Sequence, residues 1–258
     1  MASKTYFYVI LEGLPPKFLL EGLIHRERLE AGRYLLVFTD EKFFHLHKST
    51  LQKEALVLEK GYTQGEILKL PSGIILKSFG TPDEKTIILR TKGVFGSGFH
   101  PTTRLCLQIL DSLSPQSFPA LDLGAGTGIL ALSLARKGWP LVLAVEPDSS
   151  AIKVLRENIQ RNGLDKSIVP LQGDLSSLKG PFSLIVANLY LRILIPEAKT
   201  IKKLLLPGGH LILSGFLLSS LPALKRVYAD LKLEQECAFG GWGALRFSFY
   251  SLNTGQIF

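Results

Sequence analysis

The sequence predicts an α/β protein: an open, mostly parallel sheet covered on both faces by helices, preceded by a small α+β unit. Beyond Pro101, short apolar runs alternate with longer segments of helical periodicity, and strand, helix, strand in steady succession implies parallel strands buried on both faces. The stretch before Phe79 mixes strand-like and helical runs without that alternation. A length of 258 residues also exceeds the usual single-domain size. The expected division is a small domain over residues 1–79, a linker over 80–95 and a larger domain over 96–258.

In the small domain, Tyr6 to Leu11, Tyr34 to Phe38 and Ile67 to Phe79 read as strands, with helices expected near Lys17 to Glu27 and Ser49 to Glu59. The turn-forming Gly80, Thr81, Pro82 and Asp83 end it, and Thr86 to Leu89 is a further β-type run. An amphipathic helix is expected from about Thr103 to Leu113, capped by Thr102 or Thr103. Ala120 to Leu123 then reads as a buried strand, Ile129 to Lys137 as a helix stopped by Gly138, and Leu141 to Val145 as a second strand. Asp148 or Ser149 suits the cap of a helix running to Asn162 and stopping at Gly163. Ile168 to Leu171, Leu184 to Ala187 and Leu211 to Ser214 supply further strands. Glu234 to Leu252 leaves no room for a crossover helix, so two antiparallel strands are expected at one sheet edge.

Apolar residues make up 46% of the chain and charged residues 20%, a globular profile rather than a disordered one. The net charge of +8 suits an acidic partner. Residues 1–90 hold 13 Lys+Arg against 11 Asp+Glu and the remainder 17 against 11, so the excess lies with the larger domain. No run of like charges marks a nucleic-acid-binding arm. Cys106 and Cys237 lack partners at metal-ligand spacing and fit core thiols in a reducing compartment. The start has no uninterrupted apolar stretch, and the Leu-rich run from Leu204 to Leu218 is broken by Pro207, Gly208, Gly209 and His210, so neither secretion nor a membrane span is expected.

The strongest local signal is Asp122-Leu123-Gly124-Ala125-Gly126-Thr127-Gly128, which joins a buried strand directly to a helix. Glycines there permit a sharp bend and a close ligand approach to the main chain. A dinucleotide fingerprint needs a glycine where Ile129 stands, which disfavours NAD. S-adenosylmethionine has no pyrophosphate; it needs close backbone approach and an acceptor for its ribose hydroxyls, and Glu146 ends the next strand where such a carboxylate belongs. Upstream, Phe95-Gly96-Ser97-Gly98-Phe99-His100-Pro101-Thr102-Thr103 enters a helix whose first N–H groups suit a carboxylate. His100 suits a structural hydrogen bond better than proton transfer. Asn188, after the apolar run Leu184 to Ala187, sits at the expected carboxyl edge of the sheet, and Asp174 follows the preceding strand in position to accept from an adenine amino group. His45 and His47 share a face if that stretch is extended, yet no third ligand is evident and no metal is expected.

In order and spacing these motifs resemble those of the class I S-adenosylmethionine methyltransferases, and within them the ribosomal protein L-eleven methyltransferases (PrmA). The family's F-G-T-G-x-H-x-T-T, D-x-G-x-G-x-G-x-L-A, acidic strand end and V-A-N are all similar to this chain, with Ser97 replacing Thr and Glu146 the commoner Asp. The match is good over roughly residues 86–215, and Trp242 falls where the family often has a tryptophan. A tryptophan-rich linker usual in the family is missing, since no Trp precedes Trp139. The resemblance implies a Rossmann-like sheet of seven strands with a small substrate-recruiting domain ahead of it. It implies S-adenosylmethionine contacts for Thr103, Gly124, Glu146 and Asn188, and further ones for Asp122, Gly126 and Asp174.

The activity so implied is methylation of amino groups, on a lysine side chain or a chain terminus, of a ribosomal protein such as protein L-eleven. Asn188 would aim the amine. Such an enzyme is expected to be cytoplasmic, monomeric and off the membrane, with room for contact with the ribosome or RNA. Two other readings are a methyltransferase for another protein, an RNA base or a glutamine amide, since Asn188-Leu189-Tyr190 distantly resembles N-P-P-Y sites, and a non-catalytic ribosome- or RNA-binding module.

Overall fold

The computed structural model describes residues 6–13, 23–28, 33–38, 41–63, 66–77 and 81–249. The N-terminal part contains β1 (Tyr6–Gly13), β2 (Leu23–Arg28), β3 (Arg33–Phe38), α1 (Glu41–Glu54) and β4 (Ala55–Thr63), with the strands in the order β2-β3-β1-β4 and every pairing antiparallel. Two helical expectations fail here. Leu23 to Glu27 is strand, paired with β3, while residues 17–22 of that segment lie outside the described residues. The second helix lies earlier than Ser49 to Glu59: it opens with Glu41 in its first turn, where a carboxylate favours the helix dipole, and ends at Glu54. From Ala55 onward, pairing along the whole of β1 overrides the apolar spacing that suggested helix. Because His45 and His47 lie two apart on a helix, they do not share a face.

Next come β5 (Glu66–Lys69), β6 (Ile75–Lys77) and β7 (Thr86–Ile88), a three-stranded sheet in which β5 and β6 are antiparallel and β6 and β7 parallel. The single strand expected over Ile67 to Phe79 is therefore a hairpin turning at Pro71, Ser72 and Gly73, with residues 78–80 outside the described set. Leu70, Ile74, Leu76, Ile87 and Leu89 join the same hydrophobic cluster as Leu105, Ile109 and Leu132, so residues 66–89 pack as part of the larger body.

That body contains α2 (Pro101–Asp111), β8 (Ala120–Leu123), α3 (Ile129–Arg136), β9 (Val142–Glu146), α4 (Ser149–Arg161), β10 (Ile168–Gln172) and β11 (Phe182–Asn188). After these come α5 (Leu191–Leu194), α6 (Ala198–Lys203), β12 (Leu205–Leu217), α7 (Leu221–Val227), β13 (Lys232–Phe239) and β14 (Trp242–Ser248). Seven strands form one sheet in the order β10-β9-β8-β11-β12-β14-β13. It is parallel from β10 to β12, and the last two strands make the expected antiparallel hairpin at one edge. Alternate side chains separate two cores. Ala120, Val142 and Ala144 face one with α2 to α4, and Leu121, Val145, Ile185 and Leu213 the other with α6 and α7.

Asp148 caps α4, accepting from Ser150 N and Ala151 N, and Asn162 and Gly163 end it. The cap of α2 is neither threonine: His100 holds it, and Pro101 occupies the first turn, where the missing N–H costs nothing. No helix among the described residues is long and apolar enough to cross a membrane.

Candidate functional site

The chain lays down β8, β9 and β10 outward in one direction, then returns to place β11 on the other side of β8. The gap that opens between the loops leaving β8 and β11 is where open α/β sheets take ligands. The glycine loop after β8 is tied down by backbone bonds from Gly124 N and Ala125 N to Val145 O at 2.9 and 3.0 Å. Glu146 adds a second tie, its Oε2 accepting from Gly126 N at 2.9 Å and its Oε1 from Asp148 N at 3.0 Å. Glu146 is buried, yet each oxygen keeps a second lone pair for a further donor.

The structure shows what the loop's glycines leave room for. A Cβ on Gly126, at φ +55°, would stand 2.5 Å from the Phe95 carbonyl oxygen, and one on Gly124, at φ +73°, 2.4 Å from Leu189 Cδ2. Both spaces are filled by the protein's own chain. The Phe95–His100 loop is buckled onto the glycine loop by Thr127 N to Phe95 O at 3.1 Å and Thr127 Oγ1 to Gly96 O at 2.7 Å. Leu189, following Asn188, covers Gly124 from the other side.

Thr103, in the first turn of α2, and Asn188, the last residue of β11, are brought together, with Asn188 Nδ2 donating to Thr103 Oγ1 at 3.4 Å. Asn188 Oδ1 is buried without a hydrogen-bond partner. Asp122 lies beneath the loop, its Oδ2 accepting from Ala131 N at 3.0 Å and its buried Oδ1 unpartnered. Burial pushes the Asp122 carboxyl up to about 7; the bond from Ala131 opposes this, and the Glu146 charge adds to it. The Cys106 thiol, a core residue as expected, is pushed far up by burial and by Asp122.

Asp174 sits on the far side of a cavity of about 320 Å³ whose lining includes Gly124, Val145, Pro147, Leu175 and Leu189. Its Oδ1 accepts from Ser176 N at 2.9 Å and Ser176 Oγ at 2.6 Å, and these bonds hold its carboxyl below the usual range. Gly124 and Asp174 thus share one cavity, whereas Thr103, Asn188 and Asp122 cluster on the α2 side of the same loop.

Sequence reasoning missed two supports. Asn158 and Asn162, one turn apart on α4, bond the backbone edge running from β7: Ile88 N and O meet Asn162, and Arg90 N and O meet Asn158. Asn158 Nδ2 also donates to Thr127 O at 2.8 Å, which ties α4 to the glycine loop. The available signal was two amides in phase with Ala151 and Leu155 on the buried face of the helix. The other is the contact of Trp242, a position the family pattern marked without a role, whose ring meets that of His100 edge-on at 4.9 Å.

The profile of the family described as ribosomal protein L11 methyltransferase (PrmA) matches residues 75–249. The ribosomal protein L11 methyltransferase of Exiguobacterium sibiricum is 37% identical over 137 residues, covering 53% of this chain and 44% of its own. That of Chloroflexus aurantiacus is 33% identical over 191 residues, covering 64% and 58%. The chain spans about half the length of the curated relatives it matches. Among solved structures, a ribosomal protein L11 methylase from Lactobacillus delbrueckii subsp. bulgaricus shares the fold, with a TM-score of 0.60, 24% identity and coverage of 69% of this chain and 94% of that one.

Proposed function

The chain belongs to the ribosomal protein L11 methyltransferase (PrmA) family, and from that membership we propose that it transfers methyl groups from S-adenosylmethionine to amino groups of ribosomal protein L11. The observation that carries this reading is the unpartnered, buried Asn188 Oδ1 beside Thr103 at the switch point of the sheet. A buried amide oxygen with no partner costs on the order of 1–3 kcal/mol. An amine donor arriving with substrate would satisfy it.

The residues fit the cofactor. Thr103 and the first turn of α2 would hold its carboxylate, the Gly124 backbone its amino-acid part, and Glu146 its ribose hydroxyls. Asp122 and Gly126 support that loop from beneath and from the Phe95 side. Asp174 and Leu175 lie where an adenine ring would enter the 320 Å³ cavity. When bound, the cofactor supplies a methyl group on a sulfonium centre. Everything else is placement, with the acceptor nitrogen held about 3 to 3.5 Å from its target.

Asn188 Oδ1 would accept an N–H of the incoming amine and so aim its lone pair. A lysine amine, with a reference pKa of about 10.4, loses its proton more readily against an apolar wall. Phe95 and Tyr190, both more than half exposed near this end of the sheet, and Trp242 offer such surfaces. We assign the small N-terminal sheet to recruiting the protein substrate, and place the work in the cytoplasm. The test is incubation with methyl-labelled S-adenosylmethionine and purified ribosomal protein L11, followed by mass spectrometry. Label on an amino group of that protein is expected; label confined to RNA or to other proteins in a cell extract, or none anywhere, would overturn the reading.

A further inference from the structure

His100 is the residue of the Phe95–Thr103 motif that the proposed chemistry does not use, and its surroundings are specific. Its backbone is extended, at φ −64° and ψ 136°, and it caps α2. Nδ1 lies 2.8 Å from Thr102 Oγ1 and 3.3 Å from Thr102 N. A backbone N–H only donates, so Nδ1 must carry a lone pair and the neutral ring holds its proton on Nε2. The ring stands between two aromatic neighbours, Phe95 at 5.3 Å and Trp242 at 4.9 Å, both edge-on. Phe95 begins the loop buckled onto Thr127, and Trp242 begins β14 in the C-terminal hairpin. The Phe95–His100 loop and a hairpin much further along the chain therefore meet on one imidazole.

The next residue but two is Thr103, whose hydroxyl meets Asn188. We propose that His100 is a positioning residue: as the cap of α2, wedged between Phe95 and Trp242, it fixes the turn that sets Thr103 over Asn188. It transfers no proton. The proposal rests on the methyltransferase reading for its cofactor-binding and kinetic readouts, whereas thermal unfolding tests the capping geometry without it.

Asparagine separates this role from acid–base catalysis, since Asn Oδ1 lies as many bonds from Cα as His Nδ1 and is a strong helix cap with no titratable proton. The experiment compares wild type, His100→Ala and His100→Asn by calorimetric titration with S-adenosylhomocysteine, by thermal unfolding and by turnover of labelled cofactor on ribosomal protein L11. His100→Ala should weaken cofactor binding about fivefold and lower Tm by about 2 to 4 °C, the usual size of a lost cap in a domain this large. His100→Asn should recover most of both, with kcat within about threefold of wild type. Recovery of binding and Tm with kcat still down 100-fold or more would make His100 an acid or base and overturn the proposal. So would a His100→Ala variant identical to wild type, or an Asn variant as impaired as Ala. If wild type binds no cofactor and labels nothing, the methyltransferase reading falls, while Tm recovery in His100→Asn still decides the capping role.

Discussion

Replacing Asn158 by Leu keeps the side chain's branching and number of heavy atoms and removes three hydrogen bonds at once: from Arg90 N at 2.9 Å, to Arg90 O at 2.8 Å and to Thr127 O at 2.8 Å. Asn158 is fully buried, so water cannot stand in for it at the Thr127 carbonyl, whereas the Arg90 backbone is near enough to the surface to be partly rehydrated. Taking about 1 kcal/mol for each lost neutral bond and no more than that again for the stranded carbonyl, the loss comes to roughly 3 to 4 kcal/mol. With a urea slope of about 3 kcal/mol per molar, the midpoint should fall by about 1 M at unchanged slope. Asn158→Asp has the same outline but aims an acceptor at two carbonyls, and should be at least as damaging. A fall under about 0.3 M for both would mean that the amide carries little of the attachment between α4 and the glycine loop.

Asp122, held at about 7 in the fold against 3.8 ordinarily, should make stability fall as pH rises from about 4 to about 7. In that window the unfolded chain has released a proton that the folded one retains; the loss is on the order of 4 kcal/mol, levelling off above 7. Urea titrations of Asp122→Asn across pH 4 to 8 should show this slope removed; an unchanged slope would assign it to other groups. Gly126→Ala places a Cβ against the Phe95 carbonyl at a left-handed φ, so cofactor binding should be lost together with about 2 kcal/mol or more of stability, read by calorimetry and urea unfolding. Asn188→Ala should lower turnover about 100-fold while the urea midpoint holds or rises, because a buried unpartnered oxygen goes with it. Unchanged turnover would remove Asn188 from the mechanism.

The parallel half of the fold was legible because each strand there is a short apolar run closed by a polar or glycine stop, and each helix is long enough to show its period. Gly124, Glu146 and Asn188 were placed at the carboxyl edge of the sheet for the same reason, each standing at or just beyond the end of such a run. The N-terminal part was harder. Between Ser49 and Glu59 the apolar spacing fits helix as well as strand, and only pairing with β1, some forty residues away, decides it. Ile67 to Phe79 concealed a turn because Pro71, Ser72 and Gly73 interrupt an otherwise continuous β-type run. The cap of α2 was assigned to a threonine because histidine is a rarer cap, and its ring partners come from Phe95 and a hairpin far along the chain. What the glycines accommodate was not visible either, since Leu189 and the Phe95 carbonyl reach them only through tertiary contact.

The cluster shared by Leu70, Leu76, Ile87 and Leu132 bears on how this chain can be cut and recombined. A boundary at Gly80, where composition suggests one, would excise the buried Leu70, Ile74 and Leu76, and one at Gly96 would excise Ile87, Ile88 and Leu89 as well, leaving α2 and α3 with a bare flank. A break just before Glu66 spares that layer. A fragment starting there should express in soluble form and unfold cooperatively, whereas one starting at Gly96 should aggregate. Grafting a different N-terminal domain onto this sheet therefore requires the graft to end ahead of β5, so that the strands from β5 to β7 travel with the larger body.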